Sequence, residues 1–205
     1  MTAKKIILEG PIGVGKSSLS KKLANSLGAE LLLERPAENP FLERFYKAPK
    51  DFALTTQLFF LFQRVQQYAD MTAEAVIADF MLAKDRLFAE LTLSGEELTL
   101  YHNVYNSLSI DAPQPDLVVY LQSPVPVLKQ RIKKRGIKYE QKIEAGYLQS
   151  LSDAYTDYFH SYTDSPLLIV NAADINPVNN EEHYQALLEQ IKSVTAGRHF
   201  FNPLS

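Results

Sequence analysis

The residues that could do chemistry begin with Gly10-Pro11-Ile12-Gly13-Val14-Gly15-Lys16-Ser17. Two glycines five apart, then lysine and serine, match a loop that wraps the phosphates of a nucleoside triphosphate. Gly10, Gly13 and Gly15 let backbone N–H groups, that of Val14 among them, converge on phosphate oxygens at a helix N-terminus. Lys16 should reach the β- and γ-phosphates, Ser17 should ligate Mg2+, and Ser18 follows in the same cradle. The motif alone assigns a bound triphosphate such as ATP and leaves open where the phosphate goes.

Carboxylates supply candidates for that second half. Glu34 ends an apolar run, Leu31 to Leu33, and Asp79 ends another, Val76 to Ala78. In open α/β sheets the carboxyl ends of the strands face the ligand crevice. Glu34 there could accept a hydroxyl proton, or could simply pair with Arg35. Asp79 could hold Mg2+ or phosphate-bound water, or could cap a helix. The segment Lys129 to Lys142 carries seven positive residues against Glu140 alone. Arg131 and Arg135 share one helical face and could compensate the charge of a transferring phosphoryl group. The lysines around them read as a solvated face. Gln57 and Arg64 lie two turns apart on one face of an aromatic helix, and an amide suits bidentate pairing with a base edge. Phe59, Phe60 and Phe62 read as core.

The elements that must position these groups alternate. Apolar runs at Ile6–Leu8, Leu31–Leu33, Val76–Ala78, Leu117–Leu121 and Leu167–Val170 are uniformly apolar, as strands of a doubly covered parallel sheet are. Helical spacing covers Lys16–Leu27, Phe41–Tyr46, Phe52–Ala69, Asp85–Leu91, Glu96–Leu108, Val125–Arg135, Glu140–Tyr162 and Glu181–Val194. The expectation is an α/β protein with a five-stranded parallel sheet flanked by helices, one domain over 1–205, and a short helical lid at about 131–142 hinged at Gly136. The tail GRHFFNPLS receives no element.

Bulk properties narrow the classes. The 205 residues carry 46% hydrophobic content, a net charge of -3 and no cysteine. Disulfides and cysteine chemistry are excluded. An acidic balance argues against nucleic acid as the main partner. No apolar run is long enough to span a bilayer, and the start lacks the features of a signal peptide. A soluble cytoplasmic protein with no membrane partner is expected. The tetrapeptide Asn-Lys-x-Asp, which reads guanine in switch GTPases, is absent from the sequence.

Together these motifs resemble the deoxynucleoside kinase family over most of the chain, from the phosphate loop to Asp174. LLLERPAENPFLERFY looks like the family's strand ending in Glu-x-Pro and the Asn-Pro-Phe-Leu segment after it. The resemblance implies that Glu34 is the general base on the 5′-hydroxyl, that Tyr46 holds the sugar 3′-hydroxyl, and that Gln57 and Arg64 face the base. ADFMLAKDRLFA resembles the family's (Asp/Glu)-Arg-Ser…Asp-Arg…Phe-Ala stretch. It puts Asp79 at the acidic position and Asp85 at the base-contacting aspartate. The arginine expected after the acid is Phe80, and Arg86 is the nearest arginine to compensate. RIKKRGIKYEQKIEAGYL looks like the family's lid, with Arg131 and Arg135 on phosphate and Glu140 sharing the 3′-hydroxyl with Tyr46. A third lid arginine is replaced by Ile137. Asp174 and Ile175 of NAADIN fall where an adenine-binding loop lies.

The resemblance implies an ATP- and Mg2+-dependent homodimeric enzyme of nucleotide salvage, phosphorylating a purine deoxynucleoside or deoxycytidine. A nucleoside monophosphate kinase is the nearer rival; it would need a basic site for the acceptor phosphate, for which Arg35 and Arg44 are the candidates. A non-catalytic ATP-binding regulator is the other.

Overall fold

A computed structural model describes residues 4–108 and 112–202. Six strands form one sheet: β1 (Lys5–Glu9), β2 (Glu30–Leu32), β3 (Val76–Ala78), β4 (Leu117–Gln122), β5 (Leu167–Asn171) and β6 (Arg198–Phe201). Their order is β2-β3-β1-β4-β5-β6, and every pairing is parallel. The sheet therefore has one strand more than the five expected. The addition, β6, is an edge strand in the uninterpreted tail. Its Arg198, His199 and Phe200 are exposed, so it lacks the apolar run that marks a covered strand.

Among the described residues eight α-helices surround the sheet: α1 (Lys16–Leu27), α2 (Leu42–Lys47), α3 (Pro49–Ala69), α4 (Ala83–Thr92), α5 (Gly95–Ser107), α6 (Val125–Arg135), α7 (Ala145–Ser161) and α8 (Glu181–Ser193). On β1, Ile6 and Leu8 join a core that includes Leu19 and Leu23 of α1 and Leu187 and Ile191 of α8. Ile7 joins the opposite core with Leu151, Tyr155 and Phe159 of α7. Alternate residues of one strand thus feed two cores, which is why the run is apolar throughout.

A third core joins α2, α3, α4 and α5 around Phe45, Leu61, Ala89 and Tyr101. On α3 the buried positions include Ala53, Thr56, Gln57, Phe60, Leu61, Arg64, Gln67 and Tyr68, spaced three and four apart along one stripe. Phe60 belongs to it; Phe62, expected in the core, is 51% exposed, because it falls off the stripe.

The helical pattern expected from Glu140 to Tyr162 is broken. Glu140–Lys142 forms a single 3-10 turn, and Ile143 and Glu144 are extended before α7 begins. The break buries Ile143 against Ile132 and Leu148. It also turns Glu140 inward, where it is buried.

Candidate active site

β1 lies at the centre of the sheet, with β3 on one side and β4 on the other. The crevice beyond its carboxyl end is where such sheets bind ligands. The loop from Gly10 to Gly15 leaves that end and enters α1. Gly10 adopts φ 143, and a Cβ there would lie 2.4 Å from the Leu121 carbonyl oxygen. Gly13 adopts φ +86, with a Cβ 2.8 Å from Ile132 Cγ1 and 2.9 Å from the Leu128 carbonyl oxygen. Both glycines are required by close approach of β4 and α6 as well as by dihedral angle. Lys16 Nζ donates to the Gly10 carbonyl at 2.6 Å. Burial, then repulsion from Lys84, lowers its pKa to about 8 against the pull of Glu9, Glu34 and Asp79.

Asp79, at the end of β3, ties the two halves together. Its Oδ2 accepts from Ser17 Oγ at 2.5 Å, and its Oδ1 accepts from the Glu34 backbone N–H at 2.7 Å. Glu34 Oε1 accepts from Arg64 and Oε2 from Lys84, the latter at 2.9 Å. Burial pushes the Glu34 carboxyl up, but Lys84 and Arg64 outweigh it and hold it well below the usual carboxylate range. Arg64 also donates to Asp85. Asp85 is fully buried and stands behind Arg64, outside the residues that line the cleft. Burial pushes its carboxyl up to about 6 despite Arg64.

Phe80 is fully buried, edge-on to Tyr68 with ring centroids 5.5 Å apart. Arg86 does not take over the missing arginine's place. It is exposed on α4, 4.0 Å from Glu90. Beside Arg64, the cation that reaches Glu34 is Lys84, four residues after Phe80 in the first turn of α4. Nothing in the spacing of the motif marks Lys84, because its contact with Glu34 spans 50 residues of chain.

Glu9 was also missed. It ends β1 and is fully buried. Its Oε1 accepts from the Met81 N–H at 2.7 Å, and its Oε2 accepts from Tyr155 Oη at 2.9 Å and the Gly10 N–H at 3.2 Å. Burial raises its pKa, with Lys84 and Lys16 opposing. A charged residue closing a buried strand was the only available signal.

The lid residues come from α6 and the turn after it. Arg131 Nη1 donates to the Val14 carbonyl at 3.1 Å and Nη2 to the Ala172 carbonyl at 2.7 Å. It thereby braces the phosphate loop against the segment after β5. Arg135 Nη2 donates to Glu140 Oε2 at 2.5 Å. Gly136 is the left-handed cap that ends α6. Tyr139 stacks on Tyr46, rings 6.0 Å apart and 8° from parallel.

One cleft of about 670 Å³ is lined by Gly13, Val14, Gly15, Lys16, Ser17 and Ser18. Glu34, Tyr46, Gln57, Arg64, Asp79 and Lys84 continue its wall, with Arg131, Arg135, Glu140, Asp174 and Ile175, whereas Gly10 and Asp85 of the expected set do not line it. Arg35 is exposed beside Glu38, and Arg44 lies over the Phe52 ring; neither lines the cleft. Among the described residues no helix is long and apolar enough to cross a membrane.

A phosphate cradle at the end of a central parallel strand, facing a doubly held carboxylate across one cleft, defines a phosphotransferase of the P-loop class. The model of the deoxynucleoside kinase family matches residues 6–196. The deoxyguanosine kinase of Bacillus subtilis (strain 168) is 38% identical over 160 residues, covering 75% of this chain and 77% of its own. The deoxyadenosine/deoxycytidine kinase of the same strain is 27% identical over 199 residues, 92% of each chain. The structure of deoxyadenosine kinase from M. mycoides with dCMP and a flexible dCDP bound has a TM-score of 0.81 at 27% identity, covering 92% of this chain and 98% of that one. The chain belongs to the deoxynucleoside kinase family. It is an ATP-dependent phosphotransferase acting on a deoxynucleoside, and nothing in its site favours a monophosphate acceptor.

Proposed function

We propose that the cleft holds ATP along Gly10–Ser18 and a deoxynucleoside along Glu34, Tyr46, Gln57 and Arg64, and that Glu34 takes the proton of the 5′-hydroxyl as the γ-phosphoryl moves. The observation that carries this is Glu34: a carboxylate ionised by two buried cations, on the same wall as Lys16. Its depressed pKa makes it a weak base before transfer, so its first task is orientation of the hydroxyl. The proton passes as the nucleophile's oxygen becomes acidic by bonding to phosphorus. Lys16, Arg131 and Arg135 carry the compensating charge, and Tyr46 and Glu140 bind the sugar 3′-hydroxyl. Asp174 and Ile175 border the adenine.

Mg2+ fits the oxygen pair of Ser17 and Asp79. Among the described residues no group of three or more His, Cys, Asp or Glu could hold a metal. A pair of oxygens suits an ion that keeps its other positions for phosphates and water. Bound there, the ion would neutralise charge on the β- and γ-phosphates.

For the base, Gln57 and Arg64 line the inner cleft, and two of the five N–H donors of Arg64 are used by Glu34 and Asp85. A purine, with acceptors that arginine matches, is the preferred reading, and deoxycytidine the second. The deoxyguanosine kinase relative supports the purine. The protein works as a cytoplasmic homodimer in nucleotide salvage, its 205 residues forming one domain with the lid at about 131–142. The exposed Phe62 and Leu100 on α3 and α5 supply apolar surface for the homodimer.

The test is Glu34→Gln assayed with ATP and each of the four deoxynucleosides. Turnover should fall on the order of 10²- to 10⁴-fold with ATP binding retained, and the wild type should prefer deoxyguanosine or deoxyadenosine. Normal turnover in the variant would remove Glu34 from the chemistry.

A further inference from the structure

We infer that Lys84 is a positioning residue for phosphoryl transfer: its buried ammonium fixes the second oxygen of Glu34, so that with Arg64 on the first the carboxylate plane is set for the acceptor hydroxyl. This rests on the reading of Glu34 as the proton acceptor, and extends it to the lysine that precedes Asp85.

The geometry supports it at each step. Lys84 is 6% exposed, and its Nζ lies 2.9 Å from Glu34 Oε2, its one ion-pair partner among the described residues. Arg64 holds Oε1 from α3, on the other side. Two donors from two helices leave the carboxylate little freedom to rotate, while each oxygen keeps acceptor capacity. Lys84 is itself aimed by a short relay. Glu9 Oε1 accepts from the Met81 N–H at 2.7 Å, and the Met81 carbonyl accepts from the Lys84 N–H at 3.2 Å. The first turn of α4 is thus anchored to the end of β1, beside the phosphate loop. The ammonium lies 5.3 Å from the Phe88 ring centroid.

Glu9, Glu34 and Asp85 attract Lys84 through space, and Lys16 repels it. A buried ammonium with a single direct partner is a poor source of stability, since desolvation offsets the attraction. Its place at the reacting carboxylate is better explained by orientation. An arginine at position 80 could not sit as Phe80 does, fully buried against Tyr68. The cation that contacts Glu34 from this stretch is Lys84, four residues on, in the first turn of α4.

The experiment compares Lys84→Met, Lys84→Gln and Lys84→Arg with Glu34→Gln and with the exposed control Arg86→Gln, reading kcat, both KM values and thermal midpoint. Lys84→Met and Lys84→Gln should lose kcat on the order of 10²-fold, with KM for ATP little changed. Lys84→Arg should recover most of the loss, and Arg86→Gln should match wild type. If Lys84→Gln keeps wild-type kcat while its midpoint falls, Lys84 is only structural and the inference is overturned. It is also overturned if Arg86→Gln loses as much as Lys84→Gln. Should Lys84→Met not fold, Lys84→Gln and Lys84→Arg decide alone. A Glu34→Gln enzyme with normal turnover removes the base reading itself. An inactive Glu34→Gln beside a fully active Lys84→Gln removes only Lys84.

Discussion

Arg64 and its two carboxylates show how a single buried cation can serve stability and a site at once. Glu34 is held ionised by Lys84 and Arg64, whereas Asp85, with Arg64 as its direct partner and Glu34 nearby, is pushed up to about 6 by burial. The sign of the resulting pH dependence follows from linkage. An aspartate in the unfolded chain titrates near 3.9, so between about pH 4 and pH 6 the folded protein binds more protons at Asp85 than the unfolded one. Its contribution to stability is full below pH 4 and is lost as pH rises through 6. Asp85→Asn removes that term. The thermal midpoint of Asp85→Asn relative to wild type should therefore move upward between pH 4 and pH 6, and stay level above. A difference that is flat across pH 4 to 6 would place the titration elsewhere.

At the scale of elements, the phosphate loop is shaped by what packs behind it. Gly13 faces α6, so a methyl group would meet both the Ile132 side chain and the Leu128 backbone at a positive φ. Arg131 from the same helix clasps Val14 and Ala172. Arg131 thereby ties loop, α6 and the segment after β5 together. Gly13→Ala should cost roughly 1–3 kcal/mol of stability and weaken ATP binding, read as a lower thermal midpoint and a higher KM for ATP. KM for the deoxynucleoside should hold, because Glu34, Gln57 and Arg64 come from other elements. Equal loss for both substrates would show that the strain spreads beyond the loop.

For the whole molecule, the sheet edge and the α3–α5 layer differ in what they leave exposed. Phe62 is 51% and Leu100 49% exposed, on neighbouring helices far along the chain from the phosphate loop. Buried in a homodimer, they would explain why α3 carries apolar side chains off its buried stripe. Phe62→Glu with Leu100→Glu should then give a monomer by light scattering, with the secondary structure retained by circular dichroism. A double variant that remains dimeric would move the interface to another face.

The amino-acid sequence by itself determined the local pieces. Glycine spacing, the lysine after it and the uniformly apolar strands specify a phosphate cradle on a covered parallel sheet, because turn geometry and two-faced burial act over a few residues. Glu34 and Asp79 were legible as strand-end carboxylates for the same reason. What the tertiary structure decided were contacts that chain order does not encode. Lys84 supplies a cation to Glu34 because the first turn of α4 brings its ammonium there across 50 residues of chain. Glu9 becomes a hub because Tyr155, 146 residues away, supplies a hydroxyl. Asp85 is turned behind Arg64 by the packing of α3 against α4. β6, half-polar and exposed, becomes a strand because β5 offers its edge to Arg198–Phe201. A strand that gains its hydrogen bonds from a neighbour assembled elsewhere needs no apolar run of its own, so its sequence carries little trace of it.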